Sequence, residues 1–388
     1  MEILLLLLLF PLIWPFVAKK IWGHEITWPE LAINVVGVVL IVVAVWYGGR
    51  YSAMADTEIW NGEVLTKRIE DGYYQTSTCT STNKDGVCTS RTYTDHYTRD
   101  WTVKGNFGGS IDTIYHKSRE SGSRSRRNAF PEPARYTAAI IGEPAAIEKS
   151  YVNYVQAVPD SLFSARDIPE GTYVPTYPRV YDYYRMNRVI GDDIFTTIDF
   201  RQDLNDRLNN GLKWLGSQAQ VNIIVVLTSN PDPTFRYTVE NAWLGGEKND
   251  AVIFIGTENG GLDEDGNLIP KIMWADVMTF ARNTGNESFH VTLRDALLAL
   301  GHLDSEKVSD LILKTVDNKF DRVKMDEFKY LENRIQPADW VIWVAVGFSI
   351  LGTLLLSWIM SVVDIDSNGI RLSNSRRNYS KYNRRNFR

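Results

Sequence analysis

Between Trp340 and Val363 the chain runs for 24 residues without a single charge. As a helix this stretch would be about 36 Å long, more than the ~30 Å of a bilayer's hydrocarbon core, so it is expected to span a membrane. Asp339 and Asp364 bracket it, and Trp340, Trp343 and Trp358 lie towards its ends, where an indole can place its apolar face in lipid and its N–H in the interface. Every other segment can be placed by asking on which side of this helix it falls.

Two more apolar runs lie near the N-terminus. LAINVVGVVLIVVAVWY, residues 31–47, follows a Thr27-Trp28-Pro29-Glu30 lead-in that suits a helix start, and it reads as a second span. ILLLLLLFPLIWPFVA, residues 3–18, contains Pro11 and Pro15. A signal-peptide core is the alternative there, but a basic leader and a small-residue cleavage site are both lacking, which favours a retained, kinked span.

Charge then sets the expected orientation. Seven Lys or Arg stand against Asp364 and Asp366 in the last 25 residues, although the whole chain carries a net charge of −5. That basic tail and Lys19-Lys20 should stay cytoplasmic, with the N-terminus outside and residues 49–338 in the periplasm or an equivalent extracytoplasmic space. A tail of this kind suits contact with anionic lipid. The middle is acidic, which gives it no general attraction for nucleic acid.

The middle falls into two compositional halves. In the first half, residues 49–190, the stretch from Asp56 to about Thr113 is rich in Thr, Tyr and Val with period-two alternation, so EIWNGEV, YYQTSTCTST, VCTSRTYTDHYT and DWTVKG read as strands, with turns at Asn61-Gly62 and at 83–86. A hairpin at 83–86 would bring Cys79 opposite Cys88, the only two cysteines, and a disulfide follows if the compartment is oxidising. A zinc site with His96 and His116 is the rival reading, at a spacing that matches no common metal knuckle. HKSRESGSRSRR, residues 116–127, reads as a loop, and Thr172–Met186, with five tyrosines and two prolines, as an extended segment.

From Asp193 the apolar period changes to that of a helix, with Leu204, Leu208, Leu212 and Leu215 on one face as far as Gly216. Then come a buried strand, QVNIIVVLTS, an amphipathic helix, TFRYTVENAWL, and a second buried strand, DAVIFIGT. This β-α-β order implies parallel pairing with a right-handed crossover. VTLRDALLALG, with a cap at Thr292, and the helical SEKVSDLILK run should cover the sheet.

The series QVNIIVVLTS, RYTVENAWLGGEKND and AVIFIG resembles the TPM domain, an α/β/α module often tethered to a membrane outside the cytoplasm. The resemblance covers residues 193–301, and the segment TENGGLDEDGNLIP departs from it by replacing a short turn. It implies calcium binding, weak phosphatase activity or modulation of a partner membrane protein. As cation ligands it points to Asp193 and Asp250, at loop ends where oxygen ligands gather. Asp263-Glu264-Asp265-Gly266 lacks both end ligands of a calcium loop and reads as a plain turn. The wider architecture, including TEIWNGEV and NYVQAVPDSLF, also resembles membrane proteins of large tailed phages, which brings no activity with it.

No G-x-S-x-G, H-E-x-x-H or phosphate-cradling glycine loop is present. The expected protein is therefore an α+β membrane protein: three transmembrane helices (3–18, 31–47 and 339–363) hold a β-rich domain (49–190) and a TPM-like α/β/α domain (191–338), and a basic tail (364–388) follows the last of them. It is expected to bind another envelope protein and to need no cofactor. A cation-dependent phosphatase and a membrane-inserted virion protein are the alternatives.

Overall fold

The computed structural model describes residues 9–22, 28–108, 110–111, 120–121, 132–158, 172–262, 268–280, 285–366 and 369–372. Residues 3–8 of the first expected span, most of the Ser/Arg loop at 116–127, the acidic turn at 263–266 and the basic tail from 373 lie outside that set. The described chain is mixed α+β and forms two compact units: residues 1–55, 156–159 and 329–388, and residues 56–155 with 160–328.

The first unit is helical. Helix α1 spans Leu9–Trp22 and α2 spans Trp28–Met54. A last helix, α8, spans Asp339–Val362 and is followed by a small hairpin of β12, Val363–Asp366, and β13, Gly369–Leu372. Two of these helices are long and apolar enough to cross a membrane, over Leu31–Met54 and Asp339–Ile359, whereas the apolar part of α1 is shorter, Leu9–Ala18.

The α2 and α8 helices pack antiparallel through small residues. A methyl at Gly37 would lie 2.9 Å from Leu356 Cδ1, and one at Gly352 would lie 2.7 Å from Ile41 Cδ1, so glycine sets the distance of approach. Asn34 Nδ2 donates to Ser357 Oγ across the pair at 3.2 Å, with both residues buried. Where no water competes, such a bond pins the register of two otherwise greasy helices.

The second unit holds two sheets. One has the order β3-β2-β1-β5, with β4 on the edge of β2, from β1 (Ala55–Thr82), β2 (Cys88–Gly105), β3 (Ser110–Ile111), β4 (Glu120–Ser121) and β5 (Pro144–Val152). The strands expected in this region merge into two long ones, because Asn61-Gly62 does not turn. Asn61 is buried, and its carboxamide bonds Arg188 and the Val221 carbonyl. A short helix, α3 (Ala134–Ala138), and a small hairpin of β6 (Val180–Tyr181) and β7 (Arg185–Met186) flank this sheet.

The other sheet has the order β11-β10-β9-β8, from β8 (Val189–Ile190), β9 (Asn222–Thr228), β10 (Asp250–Leu262) and β11 (Leu268–Thr279). β8, β9 and β10 are parallel, with α5 (Phe235–Ala242) as the crossover between β9 and β10. β11 returns antiparallel to β10, and residues 257–262 and 268–271 form paired hairpin arms, with Glu258 opposite Lys271 and Leu262 opposite Leu268.

Strand alternation gives this sheet two apolar faces. Ile223, Val225, Leu227, Ile253 and Ile255 pack under α4 (Ile198–Ala219), α6 (Glu287–Leu300) and α7 (Ser305–Lys319). From α4 this face receives Leu204, Leu208, Leu212 and Leu215, the residues that the helical period selects, each contributing about 1.5–3 kcal/mol by burial. α4 runs three residues past Gly216, and α6 starts at Glu287, which places Thr292 inside the helix rather than at its cap. Asn286 holds that start by exchanging hydrogen bonds with the backbone of Asp321.

The opposite face carries Ile224, Val226, Val252 and Phe254. It is covered by Phe235 and Val239 of α5 together with Ile59 of β1, Ala146 of β5 and Met186 of β7. The β-rich and α/β regions thus share a core, and no boundary between independent domains falls at residue 190. β8 itself belongs to the α/β sheet.

Candidate functional site

Asp250 opens β10 and lies in register with Asn222, which opens β9. Its carboxylate accepts from Asn222 Nδ2 at 2.8 Å, from the Tyr177 hydroxyl at 2.9 and 3.1 Å, and from the Glu247 N–H at 2.8 Å. Behind Asn222 stands Arg188, only 1% exposed, which donates to Asn222 Oδ1 at 2.6 Å, Asn209 Oδ1 at 2.7 Å, the Ile223 carbonyl at 3.2 Å and Asn61 Oδ1. Three elements, β1, α4 and β9, are therefore tied to one guanidinium, and β10 joins them through the Asn222–Asp250 bond.

The neighbouring acids divide by partner. Glu58 is buried and paired with Lys248 at 3.3 Å and Arg322 at 2.8 Å. Glu247 has no such cation among the described residues. It faces Asp250 and Asp56 and lies 3.4 Å from the Tyr151 hydroxyl, whose proton is directed to Asp56 at 2.9 Å. Burial, then the charges of Asp250 and Asp56, push its carboxyl up to about 9, so Glu247 holds a proton at neutral pH. Burial raises Asp250 to about 6 in spite of its donors, raises the Tyr177 and Tyr151 phenols, and lowers Arg188 to about 9.

Asp193 lies at the other end of the same sheet. The β9–β10 register runs from Asn222–Asp250 to Thr228–Gly256, about 20 Å along the strands, and Asp193 N bonds the Leu227 carbonyl at the far end. The two aspartates singled out as cation ligands consequently do not meet. Asp193 is 6% exposed and accepts from Phe195 N at 3.1 Å, Thr196 N at 2.8 Å, Ser229 Oγ at 3.3 Å, and the Thr196 and Thr257 hydroxyls. Burial works to raise its carboxyl, but these donors outweigh it and hold the group below the usual range.

Each aspartate is thus saturated by protein donors, which makes it a knot for its loop and leaves few lone pairs for an ion. Among the described residues no group of three or more His, Cys, Asp or Glu could hold a metal.

The first sheet offers a different kind of site. At the base, Val64, Trp101 and Val103 are buried in a small core with Phe107 and Tyr136. Beyond Ile69 the β1–β2 pair continues as a ribbon to Thr82 and Cys88, with β4 added on the β2 edge at His96 and Tyr97. On the ribbon Tyr73, Val87 and Tyr93 are exposed. Cross-strand polar pairs hold it: Arg99 meets Asp71 at 2.7 Å directly across the strands, and Tyr73 and Gln75 both donate to Asp95.

The Cys79–Cys88 disulfide, with Cα atoms 5.8 Å apart, staples the tip behind the 83–86 turn. Both sulfurs are consumed by that bond, which removes the thiolates that a zinc site would need. A structural disulfide also fits an oxidising compartment.

The sequence carries no direct sign of Arg188, Tyr177 or Glu247 as a network. The usable signal is Asn222, a carboxamide inside the apolar run VNIIVVLT, since a polar side chain in a strand covered on both faces requires buried partners. No family model, curated protein or solved structure matches the chain.

Proposed function

We propose that the protein is a membrane-anchored interaction module. In this reading three spans hold residues 49–338 outside the cytoplasm, and the body binds or modulates another envelope or membrane protein. The basic tail stays inside against anionic lipid. The resemblance to TPM domains and to membrane proteins of large tailed phages accords with such a role, and would make the partner a host inner-membrane protein.

The observation that carries this reading is the stapled ribbon. A hairpin is marginal in water on its own, and the β1 rungs of this one from Thr76 to Thr82 are exposed and outside any core. A cross-strand ion pair, the hydrogen bonds to Asp95 and a disulfide keep it ordered all the same, which is the arrangement of a surface held ready for contact. The saturated aspartates, by contrast, lend a phosphatase no open metal site.

The test is site-specific photo-crosslinking in the native membrane. A photoreactive residue at Tyr93, on the ribbon, is expected to give an adduct with a defined membrane protein, while the same group at the exposed Trp214 of α4 gives none. The reading fails if Tyr73 and Tyr93 yield no adduct. It fails equally if a membrane-impermeant thiol reagent, added to intact cells with reductant, never reaches Cys79 or Cys88.

A further inference from the structure

A cleft of about 270 Å³ opens between the start of β5, the β6–β7 hairpin and the outer face of α4. Its size is just below the ~300–1,000 Å³ of typical ligand pockets, enough for one ring-sized ligand. The lining is unusually polar for a pocket: Glu143, Tyr181, Tyr184, Arg185, Asp206 and Asn210 all contribute.

Several of these groups have unused bonding capacity. Glu143 Oε1 takes the Ile140 N–H at 2.6 Å and the Tyr184 hydroxyl, whereas Oε2 accepts nothing among the described residues. The Asn210 carboxamide and the Tyr181 phenol likewise make no protein hydrogen bond among the described residues, and Tyr181 is 54% exposed. Asp206 accepts among the described residues only a long contact from Asn205, at 3.5 Å. Arg185 is already engaged with Asp182 at 3.0 Å.

The hairpin that supplies the tyrosines is held in a costly conformation. Asp182 and Tyr183 are adjacent non-glycine residues with φ of 42° and 72°, each of which typically costs about 1–3 kcal/mol. The Asp182–Arg185 ion pair, the Arg135 guanidinium against the Tyr183 ring and the Tyr184–Glu143 hydrogen bond hold it there. Such strain, maintained by three separate contacts, fixes the cleft wall before any ligand arrives.

The chemistry on offer is selective. Two carboxylates with one committed guanidinium repel phosphate, sulfate and carboxylate ligands. Carboxylate oxygens and a carboxamide are instead acceptors and donors for clustered hydroxyls, and an exposed phenol ring receives an apolar C–H face. A sugar ring in its pyranose form combines those two features. We propose that this cleft binds one uncharged pyranose residue, either a free sugar or the end of a glycan. The inference goes beyond the ribbon-based reading and does not depend on it.

The test is saturation-transfer NMR on the full chain in nanodiscs. The sugar probes are methyl glucoside, methyl galactoside, methyl mannoside, N-acetylglucosamine, maltotriose and chitotriose, with inorganic phosphate and trialanine alongside. The expected result is transfer to the ring C–H protons of at least one sugar. A monosaccharide signal equal to that of the trisaccharide points to a free sugar, and a stronger trisaccharide signal confined to its terminal ring points to a glycan end.

Tyr181→Ala and Asn210→Leu, both at exposed positions, should each weaken binding by about tenfold, whereas Tyr237→Ala on α5 should not. The inference is overturned if no sugar gives transfer at about 10 mM. It is also overturned if trialanine or phosphate binds in place of the sugars, or if the two cleft variants bind as the parent does.

Discussion

Replacing Glu247 with glutamine is expected to stabilise the protein, in a manner set by pH. Glu247 has its carboxyl at about 9 in the folded chain against an ordinary 4.5. The folded state therefore binds a proton that the unfolded chain has released. Between those two values stability falls by about 1.4 kcal/mol for each unit that the pH rises. Asp250, raised from 3.8 to about 6, contributes a loss of the same sign that is complete by pH 6. His290, lowered from 6.5 to about 4, acts in the opposite sense, since its stability is present above 6.5 and is lost as pH falls towards 4. Above pH 6.5 the Glu247 slope stands clear of both.

From pH 6.5 to 8.5 the parent protein should lose about 3 kcal/mol on this account, and Glu247→Gln should show no such slope. At pH 7.5 the glutamine removes a proton-uptake cost of about 4 kcal/mol and weakens one hydrogen bond worth about 1, a net gain of about 3 kcal/mol. Urea titration of the full chain in detergent, followed by tryptophan fluorescence, to which Trp274 in the core and the half-buried Trp243 beside it contribute, reads both quantities. A variant less stable than the parent at pH 7.5, or equal slopes across the window, would refute the assignment of a buried proton to Glu247.

Arg188→Met leaves the oxygens of Asn61, Asn209 and Asn222 without their donor and should cost about 3–5 kcal/mol, measured as a lowered urea midpoint with an unchanged m-value. A loss below about 1 kcal/mol would mean that the carboxamides find other partners. The double variant Cys79→Ser, Cys88→Ser removes a constraint worth about 2–3 kcal/mol to the ribbon alone. Amide exchange over residues 73–95 should accelerate while the midpoint for the body stays where it was. Millimolar calcium should leave the melting temperature of the full chain unchanged, because Asp193 and Asp250 are already satisfied; an upward shift would reveal a cation site after all.

The sequence conveys those features that local pattern controls. The four leucines of α4 and the alternating β-branched runs of β9 and β10 announce their elements because burial and period coincide there. The hairpin disulfide is legible because Asn83–Gly86 is turn chemistry with no competing contact. Asn61-Gly62 has equally good turn chemistry, yet a guanidinium 127 residues away claims the Asn61 carboxamide and the strand runs straight through. Arg188 itself reads as an ordinary surface arginine, since nothing within its neighbours MNRVI signals that it is buried. The polar cleft is hidden for the same reason: Glu143, Tyr181 and Asn210 are remote in sequence and become neighbours only when β5 and α4 are in place.

Fastening the ribbon at its far tip while the near end is rooted in a core has a mechanical consequence. Hairpins ordinarily fray from a loose end, one rung at a time. With both extremities pinned, the strands between Tyr73 and Thr78 can separate only by opening a bubble in the middle, which must break several rungs at once. The ribbon should therefore bend and twist as a whole sooner than unzip, keeping Tyr73 and Tyr93 at fixed spacing while the strip that bears them sways.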